Sequence, residues 1–198
     1  MGRAERRFGC RWIVAVSIGE AIGFAVATAT AITAILLRVD DVQRLLLAVA
    51  AGAVEGAALA SGQYAAMTHH RPPLGRWTAA TAAGAALAWL LGMLPSTVGF
   101  GPDSVGAVVV FAVGAVVLLG AIPMAQWLAL HRRGTFRWVP INMGAWLVAV
   151  LWTAAPSPLV DESTPIPLIA TLYVLAGVLM ALTIAVLTVP VARSLFGR

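Results

Sequence analysis

The sequence contains little charge, no lysine and a single cysteine. Of its 198 residues, 61% are hydrophobic and only 11% are charged, whereas a soluble domain carries about 25% charged residues. A soluble fold of this composition would lack the polar residues needed to cover its helices, so that class is excluded. Because Cys10 is the only cysteine, no internal disulfide can form. The chain consists instead of long apolar runs, which indicate an integral membrane protein.

Six apolar runs divide the chain, and each is close to the ~20 residues that a helix needs to cross the hydrocarbon core. They are too long for membrane strands and lack the alternation that strands require. The sequence therefore predicts one all-α membrane domain over residues 1–198. The first run is interpreted as an uncleaved helix rather than a signal peptide. The predicted helices cover residues 12–37, 45–68, 77–94, 105–130, 138–155 and 166–190.

The basic residues are distributed unevenly between the predicted loops. All 13 are arginines, which together with the abundant alanine indicates a GC-rich genome. Eleven of them lie in the N-terminus, the second and fourth loops and the C-terminal tail, whereas the other loops hold most of the acids. Because basic residues concentrate on the cytoplasmic side, we expect a bacterial cytoplasmic membrane protein with both termini in the cytoplasm. The arginines near helix ends point to a lipid bilayer, and not nucleic acid, as the partner.

The dipeptide Arg-Trp opens three of the predicted helices. It occurs at residues 11, 76 and 137, and a glycine follows each tryptophan at positions 19, 84 and 144. All three openings fall on the predicted cytoplasmic side. The recurrence therefore predicts an all-α bundle of six transmembrane helices built from three parallel helical hairpins, over residues 11–70, 76–133 and 137–195.

The second helix of each predicted hairpin has a related ending. The clearest copy is Ala125-Gln126-Trp127-Leu128-Ala129-Leu130-His131-Arg132-Arg133; Gly62-Gln63-Tyr64 is a weaker copy, and Arg193 replaces glutamine in the third. With these endings and the Trp and Gly openings, the chain resembles bacterial multi-pass membrane proteins of unknown function. Their repeated hairpins end in motifs such as Gln-Trp-x-x-Leu-Arg-Arg. The resemblance implies a repeated-hairpin architecture and no known activity.

Small residues recur every four positions along several predicted helices, which predicts close packing of helix backbones. Pro95 is expected to end the third helix. The tryptophans near the predicted cytoplasmic boundary are interpreted as interfacial anchors, and these are Trp12, Trp77, Trp127 and Trp138.

Glu20 and Glu55 are the two acids within the apolar runs. A carboxyl group is costly to place inside a membrane and is therefore a candidate functional group. Helix rise places the two at heights that differ by about 8 Å, so the sequence predicts a Glu20–Gln63 hydrogen bond rather than direct pairing. Two interpretations remain open: a polar contact between helices, or a proton or cation carrier. Glu20 followed by Ile22-Gly23 is similar to small multidrug transporters, in which such a glutamate exchanges protons for cationic drugs.

Three further polar residues complete the candidate polar cluster: Gln63, Gln126 and Asn142. They are expected to line a polar pocket on the cytoplasmic side or to form hydrogen bonds between hairpins. Neither a metal site nor a cofactor motif is predicted, since the three histidines lack acid or cysteine partners. No nucleophile has a paired base. We therefore expect a non-enzymatic structural or assembly component with a membrane-protein partner or a second copy; the alternative is a small proton-coupled transporter that uses Glu20.

Overall fold

In a computed structural model, the described residues 3–161 and 163–197 form a bundle of α-helices. Six helical segments of this part of the chain are long and apolar enough to cross a membrane, and the fifth contains two helices and a 3-10 turn at Ser157–Leu159. The predicted all-α fold with six such segments is therefore confirmed. The helices are α1 (Arg3–Leu36), α2 (Asp41–Ala66), α3 (Leu74–Thr97), α4 (Val105–Leu130), α5 (Trp138–Ala149), α6 (Leu151–Ala154) and α7 (Ile166–Phe196).

Several helices are longer than the apolar runs from which they were predicted. Helix α1 starts at Arg3 rather than near residue 12, and α7 continues to Phe196 rather than ending near residue 190. Arginine is a good helix former, so a charged flank does not end a helix. The predicted end of α3 at Pro95 is wrong, because that helix continues to Thr97 and Val98 N–H still bonds the Leu94 carbonyl.

The six segments form a closed ring. Each packs against its neighbours in the chain, and α7 packs back against α1. We call the end where α1 begins and α7 ends the near end, and the end where α1 ends and α7 begins the far end. Two side-chain caps start helices at the far end: Asp40 accepts from Gln43 N–H at 2.8 Å, and Ser104 accepts from Ala107 N–H at 3.2 Å. Such caps satisfy donors that the first helical turn leaves free.

Glycines let neighbouring helices touch through their backbones, as the four-residue spacing predicted. A Cβ on Gly19 would lie 2.5 Å from the Ala58 carbonyl oxygen, and one on Gly84 would lie 2.7 Å from the Ile122 Cα. Similar close approaches involve Gly56 against α3 and Gly177 against the Phe24 ring. Real Cβ atoms do not come this close, so glycine is required where α1 meets α2 and where α3 meets α4.

Three of the predicted membrane anchors form an aromatic cluster inside the near end. Trp12, Trp77 and Trp138 are each 0% exposed, and Phe196 at the end of α7 is 1% exposed. Their ring centroids lie 6.1, 6.1 and 5.6 Å from that of Phe196. The interfacial interpretation is therefore wrong for these three, because each ring faces the bundle axis rather than its surface. Trp127 differs, since it is only partly buried and packs edge-on against Phe136.

Candidate functional site

A cavity of about 590 Å³ lies inside the ring of helices. All six segments contribute to its walls, and it is partly open. It extends from Glu20 and Glu55 in the middle of the bundle to Val160 and Ile169 at the far end. This volume is within the range of small-molecule binding sites, which is about 300–1,000 Å³. The aromatic cluster lies beyond the inner end of this cavity, and a separate, smaller pocket of about 330 Å³ lies at the near end, between Arg11, Thr68 and Gly197.

The position of Glu20 along α1 places its carboxyl group deep in the bundle. By helix rise it lies about 12 Å from Trp12 and about 24 Å from Leu36, at the far end of the helix. Glu20 is 0% exposed and Glu55 is 6% exposed. The structure thus brings the two candidate acids to the inner end of the cavity, with apolar side chains around them.

The carboxyl groups of Glu20 and Glu55 lie close enough to interact electrostatically, which corrects the predicted geometry. Gly23 packs against the backbone of Glu55, where a Cβ would lie 2.6 Å from the Glu55 Cα. This register puts Glu20 only three residues, about 4.5 Å, from the level of Glu55. The expected 8 Å offset was too large because it was counted from assumed helix ends rather than from the contact between the helices.

The predicted Glu20–Gln63 hydrogen bond is also wrong, since Gln63 has a different partner. Its side-chain oxygen accepts from Gln126 Nε2 at 2.8 Å. The side chain of Glu55 accepts a hydrogen bond from the indole N–H of Trp89, which donates to Oε2 at 2.7 Å. Neither carboxyl oxygen of Glu20 has a hydrogen bond of normal geometry, although both are fully buried. Glu55 is therefore the polar partner that the described part of the chain offers to the Glu20 carboxyl, and no N–H or hydroxyl group donates to it.

A polar network lies between this carboxyl pair and the aromatic cluster. Gln126 is at its centre, because its Nε2 donates to Gln63 and to Thr81 Oγ1 at 3.0 Å. Trp138 Nε1 donates to Gln126 Oε1, also at 3.0 Å. A separate bond of 3.0 Å joins Trp12 Nε1 to Thr188 Oγ1. These bonds connect α2, α3, α4 and α5, and α1 with α7.

Asn142 does not join this network through another side chain. Its Nδ2 donates to the Trp138 carbonyl of the same helix at 2.8 Å. The predicted set of polar residues is therefore divided. Gln63 and Gln126 bond each other between helices, Asn142 bonds its own helix, and the carboxyl pair lies apart from all three.

Two polar partners in this region, Trp89 and Thr81, are not among the candidate residues predicted from the sequence. The sequence contains one indication for Trp89, which is recognised only once the structure is known. Gly52 of α2 makes room for the Trp89 ring, since a Cβ on Gly52 would overlap that ring. Thr81 gave no such signal, because threonine in a membrane helix commonly bonds its own backbone, as Thr81 also does to the Trp77 carbonyl at 2.8 Å.

The carboxyl pair has no metal-binding surroundings. Across residues 3–161 and 163–197, no group of three or more His, Cys, Asp or Glu side chains is placed to hold a metal ion. The chemistry that the site offers is acceptance of protons or of hydrogen-bond donors at two neighbouring carboxyl groups. Two charged carboxylates buried side by side repel each other, and a proton or a cation bound between them would reduce this repulsion.

Comparisons of the chain with models of protein families, with curated proteins and with solved structures found no match. The function is therefore inferred from the geometry of the cavity and its two carboxyl groups.

Proposed function

We propose that this chain is a small proton-coupled carrier of the bacterial cytoplasmic membrane, with Glu20 and Glu55 as its proton-binding groups. The observation that carries this proposal is the buried pair of carboxyl groups, Glu20 and Glu55, on the wall of the cavity, in which Glu20 has no hydrogen bond of normal geometry. Gln126 differs from this pair, because its side chain joins α2, α3, α4 and α5 through hydrogen bonds of normal geometry.

The orientation in the membrane follows from the arginines. Residues Arg71, Arg132 and Arg133 belong to the near end of the bundle, while Asp103 and Asp161 belong to the far end. By the distribution of basic residues, the near end and both termini face the cytoplasm. The cavity then faces outward, and the aromatic cluster closes it from the cytoplasm.

We retain the three-hairpin repeat as part of this proposal. It is supported by Trp12, Trp77 and Trp138, which open the three predicted hairpins and surround the same Phe196 ring. It is also supported by Gln63 and Gln126, which occupy matching places in the predicted endings and bond each other. Glu20 has no counterpart in the other hairpins, as expected for a functional rather than an architectural residue.

A carrier must open its cavity to each side in turn. The near end is held closed by three hydrogen bonds to one acceptor, the Phe196 carbonyl. Thr68 N–H and His69 N–H donate to it at 3.2 and 2.9 Å, and Thr68 Oγ1 donates at 2.7 Å. Access from the cytoplasm requires this end of α7 to move away from the α2–α3 loop, and Pro190 interrupts the backbone bonding of α7 just before it.

Uptake into proteoliposomes tests the proposal. The probes are four solutes that share the same aromatic ring system and propyl chain. They differ only in the group at the end of the chain, which is an amine, a trimethylammonium, an alcohol or a carboxylate. With an imposed pH gradient, the wild-type protein should take up at least one of them several-fold faster than protein-free vesicles. Glu20→Gln should reduce uptake to the protein-free level, because the amide cannot exchange a proton. Asp103→Asn, the same change at a far-end loop, should leave it unaltered.

A structural or assembly role is the second candidate, and the Gln126 network favours it. In that case no solute shows gradient-dependent uptake by the wild-type protein, or Glu20→Gln retains full uptake. Either result would rule out the carrier. The contacts between the helices would then serve a structural or assembly role.

A further inference from the structure

We infer that the cavity binds a hydrophobic primary or secondary amine in its protonated form, with the nitrogen between Glu20 and Glu55 and the apolar body directed toward Val160. This inference rests on the proposed carrier function, since it names the substrate of the same site. It is argued from the acceptors, the missing donors and the walls of the cavity.

The inner end of the cavity has more acceptors than donors. Two carboxyl groups offer four oxygens, and Trp89 Nε1 supplies a donor to one of them. Without a ligand, a proton shared between the two groups supplies one further donor, and this is the proton that a bound amine would replace. Both Glu20 oxygens are buried without a hydrogen bond of normal geometry, and a buried acceptor without a donor is unfavourable. A bound group with two or three N–H bonds would satisfy these oxygens.

The cavity walls also lack positive charge. No arginine or histidine is among the lining residues in the described part of the chain. A positive charge opposite the carboxyl pair must therefore come from the ligand or from protons. A cationic head explains how the ligand and the proton compete for one site, because each neutralises the same carboxylate.

The remaining lining is mostly apolar and aromatic, and its other polar groups are the hydroxyls of Thr28, Thr153 and Tyr173. Phe24, Trp89, Trp146 and Tyr173 contribute rings, and the aliphatic residues Ile35, Val160 and Ile169 lie toward the far end. Such walls fit a hydrophobic body and offer no partner to a second polar group near the carboxyls. The class of ligand is therefore an apolar molecule with one amine at its end.

The proposed site requires a ligand that can donate N–H hydrogen bonds, and not merely a ligand with a positive charge. A quaternary ammonium carries the same charge and contacts aromatic rings well, but it has no hydrogen to donate to Glu20. A site whose buried acceptors need a hydrogen-bond donor binds a ligand without that donor much more weakly. This loss is larger than the loss that a hydrophobic pocket shows when a ligand changes in size. The primary amine should thus bind more tightly than its trimethylated counterpart despite equal charge.

Equilibrium binding to the purified full-length protein tests this inference, with the same four arylpropyl probes. We expect the primary amine to bind about tenfold or more tightly than the trimethylammonium and the alcohol, and the carboxylate not to bind. Equal or tighter binding of the trimethylammonium would overturn the requirement for a donor. Preference for the carboxylate or the alcohol, or no binding of the amine, would overturn the assignment of substrate class.

Two variants place the binding at this cavity. Glu20→Gln should weaken the amine about tenfold or more, because it removes one of the two carboxyl groups between which the nitrogen lies. Because that variant could also unfold the bundle, Ala88→Phe provides a second test: it fills the cavity from α3 and leaves both carboxyls unchanged. Unaltered amine affinity in a folded Ala88→Phe protein would overturn the proposed location.

The two proposals fail separately. Tight amine binding without gradient-driven uptake would contradict the carrier and support the amine site. Gradient-driven uptake of another probe but not of the amine would support the carrier and contradict the amine site.

Discussion

Gly23 lies directly against the backbone of Glu55, where a Cβ would come within 2.6 Å of the Glu55 Cα. This contact fixes the register of α1 on α2, and the register brings the carboxyl groups of Glu20 and Glu55 together. A residue without a side chain therefore determines the geometry of the two that carry the chemistry.

Substitution of Gly23 should separate the two helices. We expect Gly23→Ala to lower the free energy of unfolding by about 1–3 kcal/mol, since the methyl group meets backbone rather than a flexible side chain. Unfolding by a denaturing detergent in mixed micelles measures this. Gly114→Ala is the matched control, because a Cβ there meets nothing within 4 Å. Equal stability of the two variants would contradict the close contact.

The three tryptophans of the aromatic cluster should differ in their tolerance of phenylalanine. Trp138→Phe removes a hydrogen bond and leaves the buried Gln126 oxygen without a donor, a loss of about 1–3 kcal/mol. Trp12→Phe removes the bond to Thr188. Trp77 has no hydrogen bond at its buried Nε1, so Trp77→Phe should be the mildest of the three. Detergent unfolding of the three variants ranks them, and a greater loss at Trp77 than at Trp138 would refute the network.

The bond between Gln63 and Gln126 should appear as an energetic coupling. A double-mutant cycle with Gln63→Leu and Gln126→Leu isolates this pair from the other bonds of Gln126. We expect a coupling of about 0.6 kcal/mol and no more than about 1.7 kcal/mol, the average and the maximum for side-chain hydrogen bonds between membrane helices. Additive effects of the two substitutions would mean that the two side chains do not bond in the membrane.

Reporter fusions test the proposed orientation. A reporter joined after Asp161, at the far end, should be exported, whereas one joined after Gly134, at the near end, should remain in the cytoplasm. Gly134 is a suitable point because it lies in the short turn between α4 and α5 with a positive φ of 77°. A cytoplasmic reporter at Asp161 would contradict the proposed orientation, and the cavity would then open toward the cytoplasm.

Much of the architecture could be predicted from the sequence, because it depends on local properties of the chain. Length and hydropathy gave the helical segments, and four-residue spacing of small residues gave the helix faces that touch. The depth of Trp12, Trp77 and Trp138 could not be predicted in the same way. A tryptophan near a helix end fits both a membrane interface and a bundle interior, and only the direction of the helix face decides between them.

The sequence identified residues of the candidate site, but it did not predict which of them lie next to each other. Glu20 and Glu55 stand out because carboxyl groups are rare in apolar helices. Their pairing depends on the register between α1 and α2, and a shift of a few residues moves a side chain by a whole turn. The sequence contains Gly23, but only the packed structure shows that Glu55 lies opposite it. The same argument applies to Gln63, whose partner Gln126 belongs to a distant part of the chain.

The central claim is that protons and an amine compete for the carboxyl pair. Calorimetric titration of the arylpropylamine into the purified protein, repeated in buffers of different ionisation enthalpy, counts the protons released on binding. The account predicts release of about one proton per amine bound by the wild-type protein, since a single positive charge replaces another at the same carboxylate. Amine binding without any proton release from the wild-type protein would contradict it.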